Sequence, residues 1–205
     1  MKPHYWDRAK RRIAQADPVM AAIMKRHPRV YLESRGDPFL TLARSIVGQQ
    51  ISVKAAQSVW GRVLGLLGEV TPASACAASA ADLRACGLSD RKVEYVRDLA
   101  AHFESGRLRP ERWPQMDDEA VIAELIDVRG IGRWTAEMFL MFNLLRPDVL
   151  PVDDIGVQRG VSLAYYKGRK VSLRTLRRVA EPWRPYRSVA TWYLWRSLDP
   201  VPVEY

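Results

Sequence analysis

The chain has 205 residues, a net charge of +9 at pH 7 and two cysteines, Cys76 and Cys86. A chain of this length can bury a core without disulfides, and this cysteine pair supplies neither a zinc site nor the four ligands of an iron–sulfur cluster. We therefore expect two reduced, buried thiols. The N-terminal residues lack the apolar segment of a signal peptide, and charges interrupt every apolar run before it reaches membrane-spanning length. We expect a soluble, cytoplasmic protein.

Positive charge is unevenly distributed along the chain. Residues 167–187 contain eight lysines and arginines and a single acid, Glu181, whereas residues 111–127 contain six acids and one arginine. A one-sided basic surface is typical of a protein that binds a polyanion such as nucleic acid. A solvated basic face without a partner is the alternative.

Apolar residues recur at helical spacing, with little alternation of period two, which predicts an all-α fold of about nine helices. Serine, aspartate and glycine mark helix starts and ends. In chain order, we expect one or two helices in residues 1–35, then helices over 39–47, from Ser52 to Gly68, from Ser79 to Gly87, from Ser89 to Gly106, from Asp117 to Ile126, over 135–145, over 155–165, after Ser172, and over 186–198.

Residues 128–139 read VRGIGRWTAEMF, so two glycines flank one isoleucine between two helical segments. Glycine permits a tight turn, and we expect Ile131 to face the core. The N–H groups that begin the next helix, from Gly132 onward, attract a phosphate oxygen. This turn therefore favours contact with a nucleic-acid backbone, and an ordinary turn between two helices is the alternative.

The segment IDVRGIGRWTAEMFLMF resembles the helix-hairpin-helix of the DNA glycosylase superfamily in which a Gly/Pro-rich loop and an aspartate follow. LRPDVLPVDDIGVQ supplies such a loop, and SIVGQQISVKAA and PWRPYRSVATWYLW resemble segments of the DNA-3-methyladenine glycosylase II type. The resemblance covers about residues 38–198. It implies two helical lobes with a central cleft, one module over 1–205, and the hairpin within about 117–145. Too few residues precede Phe39 for a separate N-terminal β domain.

The resemblance implies that Asp154 is the catalytic aspartate, because Ile155 and Gly156 follow it as in the family motif, whereas Asp153 does not fit. Breaking an N-glycosidic bond passes through a sugar oxocarbenium ion, which a nearby carboxylate stabilises. The alternative role of Asp154 is to cap the following helix, and one side chain can do both.

Family members that also cleave the strand place a lysine where this chain has Trp134. Arg129 and Arg133, the nearest basic residues, stay protonated and cannot act as nucleophiles. We therefore predict hydrolysis by water and no lyase activity.

An aromatic pocket suits a base methylated on a ring nitrogen, because such a base is cationic and a cation is attracted to an indole face. We expect the pocket to be formed by Trp134, Met138, Tyr186 and Trp183. Other tryptophans are expected in the core: Trp60, Trp192 and Trp195.

A target base must leave the stack before its bond is cut, and Gln50 matches the position that fills the gap. The alternative is that Gln49 and Gln50 are polar residues at a helix end. The expected DNA contacts are Gln49, Gln50, Ser52, Arg129, Gly130, Gly132, Arg133 and Thr135. The resemblance also implies a monovalent cation at the carbonyls of Val128 and Gly130. The scattered histidines favour no catalytic metal.

The sequence thus predicts a monomeric, monofunctional base-excision-repair glycosylase that acts on alkylated bases of the 3-methyladenine type in double-stranded DNA and needs no cofactor. One alternative is a helix-hairpin-helix module that binds DNA without catalysis. The other is a glycosylase of the same fold that removes uracil or mismatched bases.

Overall fold

The structure is a computed structural model that describes residues 2–199. These residues form α-helices and two short 3-10 helices, with no β-strand among them, so the predicted all-α class is confirmed. The α-helices are α1 (Trp6–Ala16), α2 (Pro18–Arg26), α3 (Pro38–Gly48), α4 (Val53–Leu67), α5 (Pro72–Ala77), α6 (Ala80–Ala85), α7 (Asp90–Glu104), α8 (Asp118–Ile126), α9 (Arg133–Phe142), α10 (Ile155–Tyr166), α11 (Leu173–Ala180) and α12 (Arg187–Leu198). The 3-10 helices are Trp113–Gln115 and Glu181–Trp183. In the part of the chain described, no helix combines the length and the apolar character of a membrane span.

Five of the predicted helix starts are confirmed by side-chain caps. Each of these residues precedes its helix and accepts a hydrogen bond from a backbone N–H three residues later: Ser52, Ser79, Ser89, Asp117 and Ser172. A cap of this kind stabilises a helix by about 1 kcal/mol. The starts were predictable because the interaction spans only one turn of chain.

Two expectations about helices are wrong in detail. The helix count was too low, since the small-residue stretch 72–85 forms two short helices, α5 and α6. Helix α9 ends at Phe142 rather than Leu145, because Leu145 adopts a φ of 52° and the N–H of Arg146 bonds back to the carbonyl of Leu140. Helix α8 ends at Ile126 as expected, and this last residue is 49% exposed.

The described chain divides into two compact units, which correspond to the two expected lobes. Unit 2 is the continuous segment Arg35–Phe139, and unit 1 combines residues 2–34 with 140–199. The core of unit 2 contains edge-to-face aromatic pairs that link four rings in a row: Phe39, Phe103, Trp113 and Phe139. The Trp113 N–H donates to Glu124, 2.8 Å away, so the polar atom of this fully buried indole is satisfied.

The core of unit 1 surrounds α12 and contains a buried carboxylate, Asp17. Its Oδ1 caps α2 by accepting from the N–H groups of Val19 and Met20. Its Oδ2 accepts from the Tyr165 hydroxyl at 2.6 Å and from the Trp183 indole at 2.8 Å. Burial, followed by the contact with Asp17, raises the pKa of Tyr165 above its usual range. The carboxylate joins the start of α2 to the last turn of α10 and to the second 3-10 helix.

Candidate functional site

The Gly-Ile-Gly segment forms the turn between α8 and α9 in unit 2. Gly130 has a φ of +82°, which glycine adopts more readily than other residues. Ile131 is only 4% exposed, and its N–H donates to the carbonyl of Val128 at 3.1 Å. The carbonyl of Gly132 accepts from Ala136 N–H and so begins α9. The turn and the inward position of Ile131 are as predicted.

Two side chains of unit 2 pack onto this hairpin at Gly130. A methyl group at Gly130 would overlap the ring of Tyr95, a residue of α7. The Gln49 side-chain amide donates to the Gly130 carbonyl at 2.9 Å. The absence of a side chain at Gly130 is therefore required twice, by its backbone angle and by Tyr95.

The two glutamines after α3 differ in exposure and contact. Gln49 is half-buried, and its amide is bound to the hairpin. Gln50 is exposed and has a φ of 57°, a left-handed conformation that is uncommon outside glycine. Ser52, also expected to contact DNA, caps α4 by accepting from Ala55 N–H at 3.2 Å. Of these three side chains, Gln50 is the one presented outward without a structural contact of its own.

A cavity of about 540 Å³ in unit 2 lies between the turn at Gln49 and Gln50 and the Gly-Ile-Gly hairpin. Trp134, 36% exposed, lines it together with Tyr95 and Gln50. Met138, expected on the same wall, is half-buried and is not among the lining residues. Thr135 lines the cavity but is only 7% exposed, which limits what its side chain can contact.

Both arginines of the hairpin are paired with carboxylates. Arg129 forms an ion pair with Glu94, and its backbone N–H donates to Asp98 at 2.8 Å. The guanidinium of Arg133 binds Glu119 through two nitrogens and also reaches Glu137 at 3.2 Å. These acids offset much of the positive charge that would attract phosphate, so the backbone N–H groups contribute a larger share of any affinity for DNA at the hairpin.

Asp154, in unit 1, begins α10 and is half-buried. Its Oδ1 accepts from Val157 N–H at 2.7 Å and from the Trp195 indole N–H at 2.8 Å. The capping role considered for Asp154 is therefore present. The partial positive charge at the start of a helix also favours a negative group there. Asp153, by contrast, is exposed.

Gly156 allows the indole of Trp195 to approach Asp154. A Cβ at Gly156 would lie 2.9 Å from Trp195 Cδ1, closer than real Cβ atoms come to other atoms, and a tight 3.0 Å from Asp154 Oδ1. The indole of Trp195 also stacks on the ring of Phe142, with 5.9 Å between the ring centroids. The glycine of the Asp-Ile-Gly signature is therefore explained by the close packing of the Trp195 indole. Ile155, between Asp154 and Gly156, is 80% exposed, an apolar side chain beside the carboxylate that sequence reasoning did not single out.

Three expectations about tryptophan and tyrosine need correction. Trp183 and Tyr186 were expected in the base pocket, yet Trp183 is fully buried with its N–H bound to Asp17. Tyr186 is 7% exposed and stacks on Tyr5. Neither ring can meet a base unless the core of unit 1 opens. Trp195, expected in the core, is half-buried and contacts Asp154, whereas Trp60 is buried as expected.

The carbonyls expected to hold a monovalent cation both accept hydrogen bonds within unit 2. Val128 accepts from Ile131, and Gly130 accepts from the Gln49 amide. A cation at Gly130 would have to share this carbonyl with the amide or displace it, so the ion stays a prediction. Among residues 2–199, no three His, Cys, Asp or Glu side chains cluster at metal-binding distance. Cys86 is buried and Cys76 half-buried, both as free thiols.

The known proteins that this chain resembles in sequence are DNA repair proteins of one superfamily. A family model described as "HhH-GPD superfamily base excision DNA repair protein" matches residues 43–185. DNA-3-methyladenine glycosylase 1 of Schizosaccharomyces pombe is 31% identical over 165 residues, which are 78% of this chain and 72% of that protein. The chain spans 65% to 77% of the lengths of four curated relatives from Bacillus subtilis and two yeasts.

Two solved structures have a similar fold. The DNA-3-methyladenine glycosidase of Bacillus halodurans is 38% identical with a TM-score of 0.86, covering 93% of this chain and 89% of its own. The Schizosaccharomyces pombe 3-methyladenine DNA glycosylase, solved with abasic DNA, is 28% identical with a TM-score of 0.81, covering 93% and 96%. The chain therefore belongs to the HhH-GPD superfamily of base excision DNA repair proteins, in the branch that holds the DNA-3-methyladenine glycosylases.

Proposed function

We propose that the protein is a monofunctional DNA glycosylase that extrudes alkylated bases of the 3-methyladenine type from double-stranded DNA and hydrolyses their N-glycosidic bond. The observation that carries this proposal is the fixed carboxylate of Asp154. Two donors, the Val157 N–H and the Trp195 indole, hold its Oδ1 at the start of α10. The relatives with that activity in their names support the choice of reaction.

The reaction needs a stabilised cation and a water molecule. The bond between C1′ and the base nitrogen breaks, and the base leaves with the electron pair. A base made cationic by methylation leaves as a neutral molecule, so it needs little acid catalysis. The oxygen of water then bonds to C1′, its proton passes to solvent, and an abasic sugar remains. Asp154 stabilises the positive charge on the sugar and orients the water.

Residues of unit 2 supply the steps before the bond is cut. Gln50, exposed on its left-handed turn, enters the duplex and occupies the space that the extruded base leaves. The hairpin N–H groups after Gly130 bind the phosphate backbone without reading sequence. The half-exposed indole of Trp134 attracts a cationic base through its face.

Hydrolysis without strand cleavage follows from the side chains at the hairpin. A lyase needs an amine that can attack C1′, and residues 127–135 contain arginine but no lysine. The nicked product of a lyase is therefore not expected. A monomer that acts on cytoplasmic DNA remains the predicted form of the protein.

Replacement of Asp154 by asparagine tests the proposal. Asparagine caps helices as well as aspartate does, so Asp154→Asn keeps the start of α10 while removing the charge. We expect base release from methylated duplex DNA to fall at least about a hundredfold, with duplex affinity retained. Asp153→Asn, at an exposed neighbour, is the matched control and should remain active.

A panel of duplexes, each with one defined lesion, separates the alternatives. Release of methylated purines supports the proposal. Release of uracil alone would identify a glycosylase for uracil or mismatched bases instead. Binding without release of any base would identify a non-enzymatic DNA-binding module. Full turnover by Asp154→Asn would contradict the assigned role of the carboxylate.

A further inference from the structure

Six basic side chains lie close together in sequence on and before α11, in unit 1. We call them the α11 patch: Lys167, Arg169, Lys170, Arg174, Arg177 and Arg178. All six residues are exposed. The proposed reaction uses none of them.

No acid lies within the segment that carries these six side chains, and Glu181, the first acid after it, is paired with Arg184. Residues 155–180 contain neither aspartate nor glutamate. Across the described chain, no carboxylate lies within ion-pair distance of the six side chains, in contrast to Arg129 and Arg133 at the hairpin, which are both paired. The α11 patch is therefore a concentrated source of the chain's positive potential, and it is available to an external anion.

The α11 patch lies at the end of α10 opposite to Asp154. The N–H of Gly168 donates to the carbonyl of Ser162 at 3.0 Å, and the Ser162 hydroxyl donates to the carbonyl of Arg169 at 2.7 Å. After α11, the ring of Trp183 returns to Tyr165, 6.3 Å away. Both ends of the segment are thus fixed to the last turns of α10. Since α10 has 12 residues, the patch is separated from Asp154 by about 18 Å.

The arginines of α11 are displayed on a fixed scaffold. Ser172 caps the helix, and Leu176 and Ala180 are fully buried beneath it. The positions 174, 177 and 178 follow the i, i+3, i+4 spacing that places side chains on one helix face. Each guanidinium group of such an array can bind a phosphate through two N–H groups.

We propose that the α11 patch is a second DNA-binding surface, which takes the phosphodiester backbone of duplex DNA away from the nucleotide under repair. It extends the proposed function by adding a sequence-independent contact that the catalytic carboxylate does not make. Contacts of this type supply non-specific affinity and allow a protein to slide along DNA. The regular array of arginines favours a phosphate backbone over an acidic protein segment.

Salt-dependent binding of undamaged duplex DNA tests this surface without any need for catalysis. The slope of log K against log salt is negative, and each phosphate contact adds about 0.9 to its magnitude. The triple variant Arg174→Gln/Arg177→Gln/Arg178→Gln should therefore reduce that magnitude by about 2 to 3. The control Arg97→Gln/Arg107→Gln/Arg112→Gln removes the same charge from exposed positions of unit 2 and should change the slope by less than about 1. Anisotropy of a labelled duplex gives both values.

One further variant and one further ligand make the outcome decisive. The charge-retaining variant Arg174→Lys/Arg177→Lys/Arg178→Lys should keep most of the slope, and a thermal melt confirms that each variant is folded. Equal slopes for the patch variant and its control would overturn the proposal, as would an arginine dependence seen only with polyglutamate. Because base release by Asp154 is measured separately, the failure of one proposal does not imply the failure of the other.

Discussion

The indole N–H of Trp195 donates a 2.8 Å hydrogen bond to Oδ1 of Asp154 in unit 1. The same oxygen accepts the N–H of Val157, so two donors from different elements fix one carboxylate oxygen. A carboxylate held in this way does not have to reorganise when positive charge develops on a sugar beside it. Trp195 is therefore a positioning residue for the proposed reaction.

We expect Trp195→Phe to lower kcat about tenfold to a hundredfold with little change in KM. Phenylalanine keeps an aromatic ring at this position but has no N–H group. A hydrogen bond to a charged group, worth about 1.5–3 kcal/mol, is therefore lost. Trp192→Phe is the matched control on the same helix, since the buried Trp192 N–H has no hydrogen-bond partner in the region described. Gly156→Ala should reproduce the defect by displacing the indole. Single-turnover kinetics on methylated duplex measure the effect, and an undiminished rate for Trp195→Phe would refute it.

Gln50→Gly is expected to raise stability while lowering base release. Glycine relieves the left-handed φ of 57°, which costs other residues about 1–2 kcal/mol, although its greater freedom in the unfolded chain removes part of that gain. The loss of the side chain should slow release from fully paired duplex more than release from single-stranded DNA. Lys167→Gly, which relieves a φ of 55° elsewhere, serves as the stability control. Equal slowing on both substrates would argue against insertion of Gln50 into the duplex.

Glu119→Gln should strengthen duplex binding by releasing Arg133 from its ion pair. The hydrogen bond from Arg133 lowers the pKa of Glu119, which keeps this acid charged and paired. With Glu119 neutral, Arg133 keeps its contact with Glu137 but gains free N–H groups that can bind a phosphate. The magnitude of the slope of log K against log salt should then increase by up to about 0.9. Glu111→Gln changes net charge equally at an exposed position, whereas the ion pairs of Arg133 are with Glu119 and Glu137. If both variants have the same slope, Arg133 does not reach DNA.

Gly130→Ala is expected to destabilise the protein by about 2–5 kcal/mol, the sum of a left-handed backbone penalty and overlap with the Tyr95 ring. Gly132→Ala should change stability by less than about 0.5 kcal/mol, because a Cβ there meets no atom and its φ is not positive. Chemical denaturation measures both. Similar losses at the two glycines would show that turn flexibility, rather than Tyr95 and the φ of Gly130, sets the requirement.

The sequence predicted features that depend on a few neighbouring residues. Ser52 and Asp117 were identified as caps because their partners lie three residues away, and the hairpin turn was identified from Gly130 and Gly132. It could not distinguish Trp183 from Trp195, since both belong to the same aromatic-rich segment. Which indole meets Asp154 depends on long-range packing that periodicity does not record. The sequence signal for such a contact was Gly156, because a glycine leaves room for another side chain to approach the backbone closely.

The burial of Asp17 against Tyr165 and Trp183 has a consequence for the order of events on the ribosome. Unit 1 is discontinuous, with Arg35–Phe139 inserted between its two segments. Helices α1 and α2 emerge before unit 2, yet the Oδ2 atom of Asp17 gains its partner Tyr165 only after 148 further residues have been synthesised. Unit 2, being continuous, can fold during that interval. The N-terminal helix pair must therefore wait for the last third of the polypeptide before the Oδ2 atom of Asp17 can be buried against Tyr165 and Trp183.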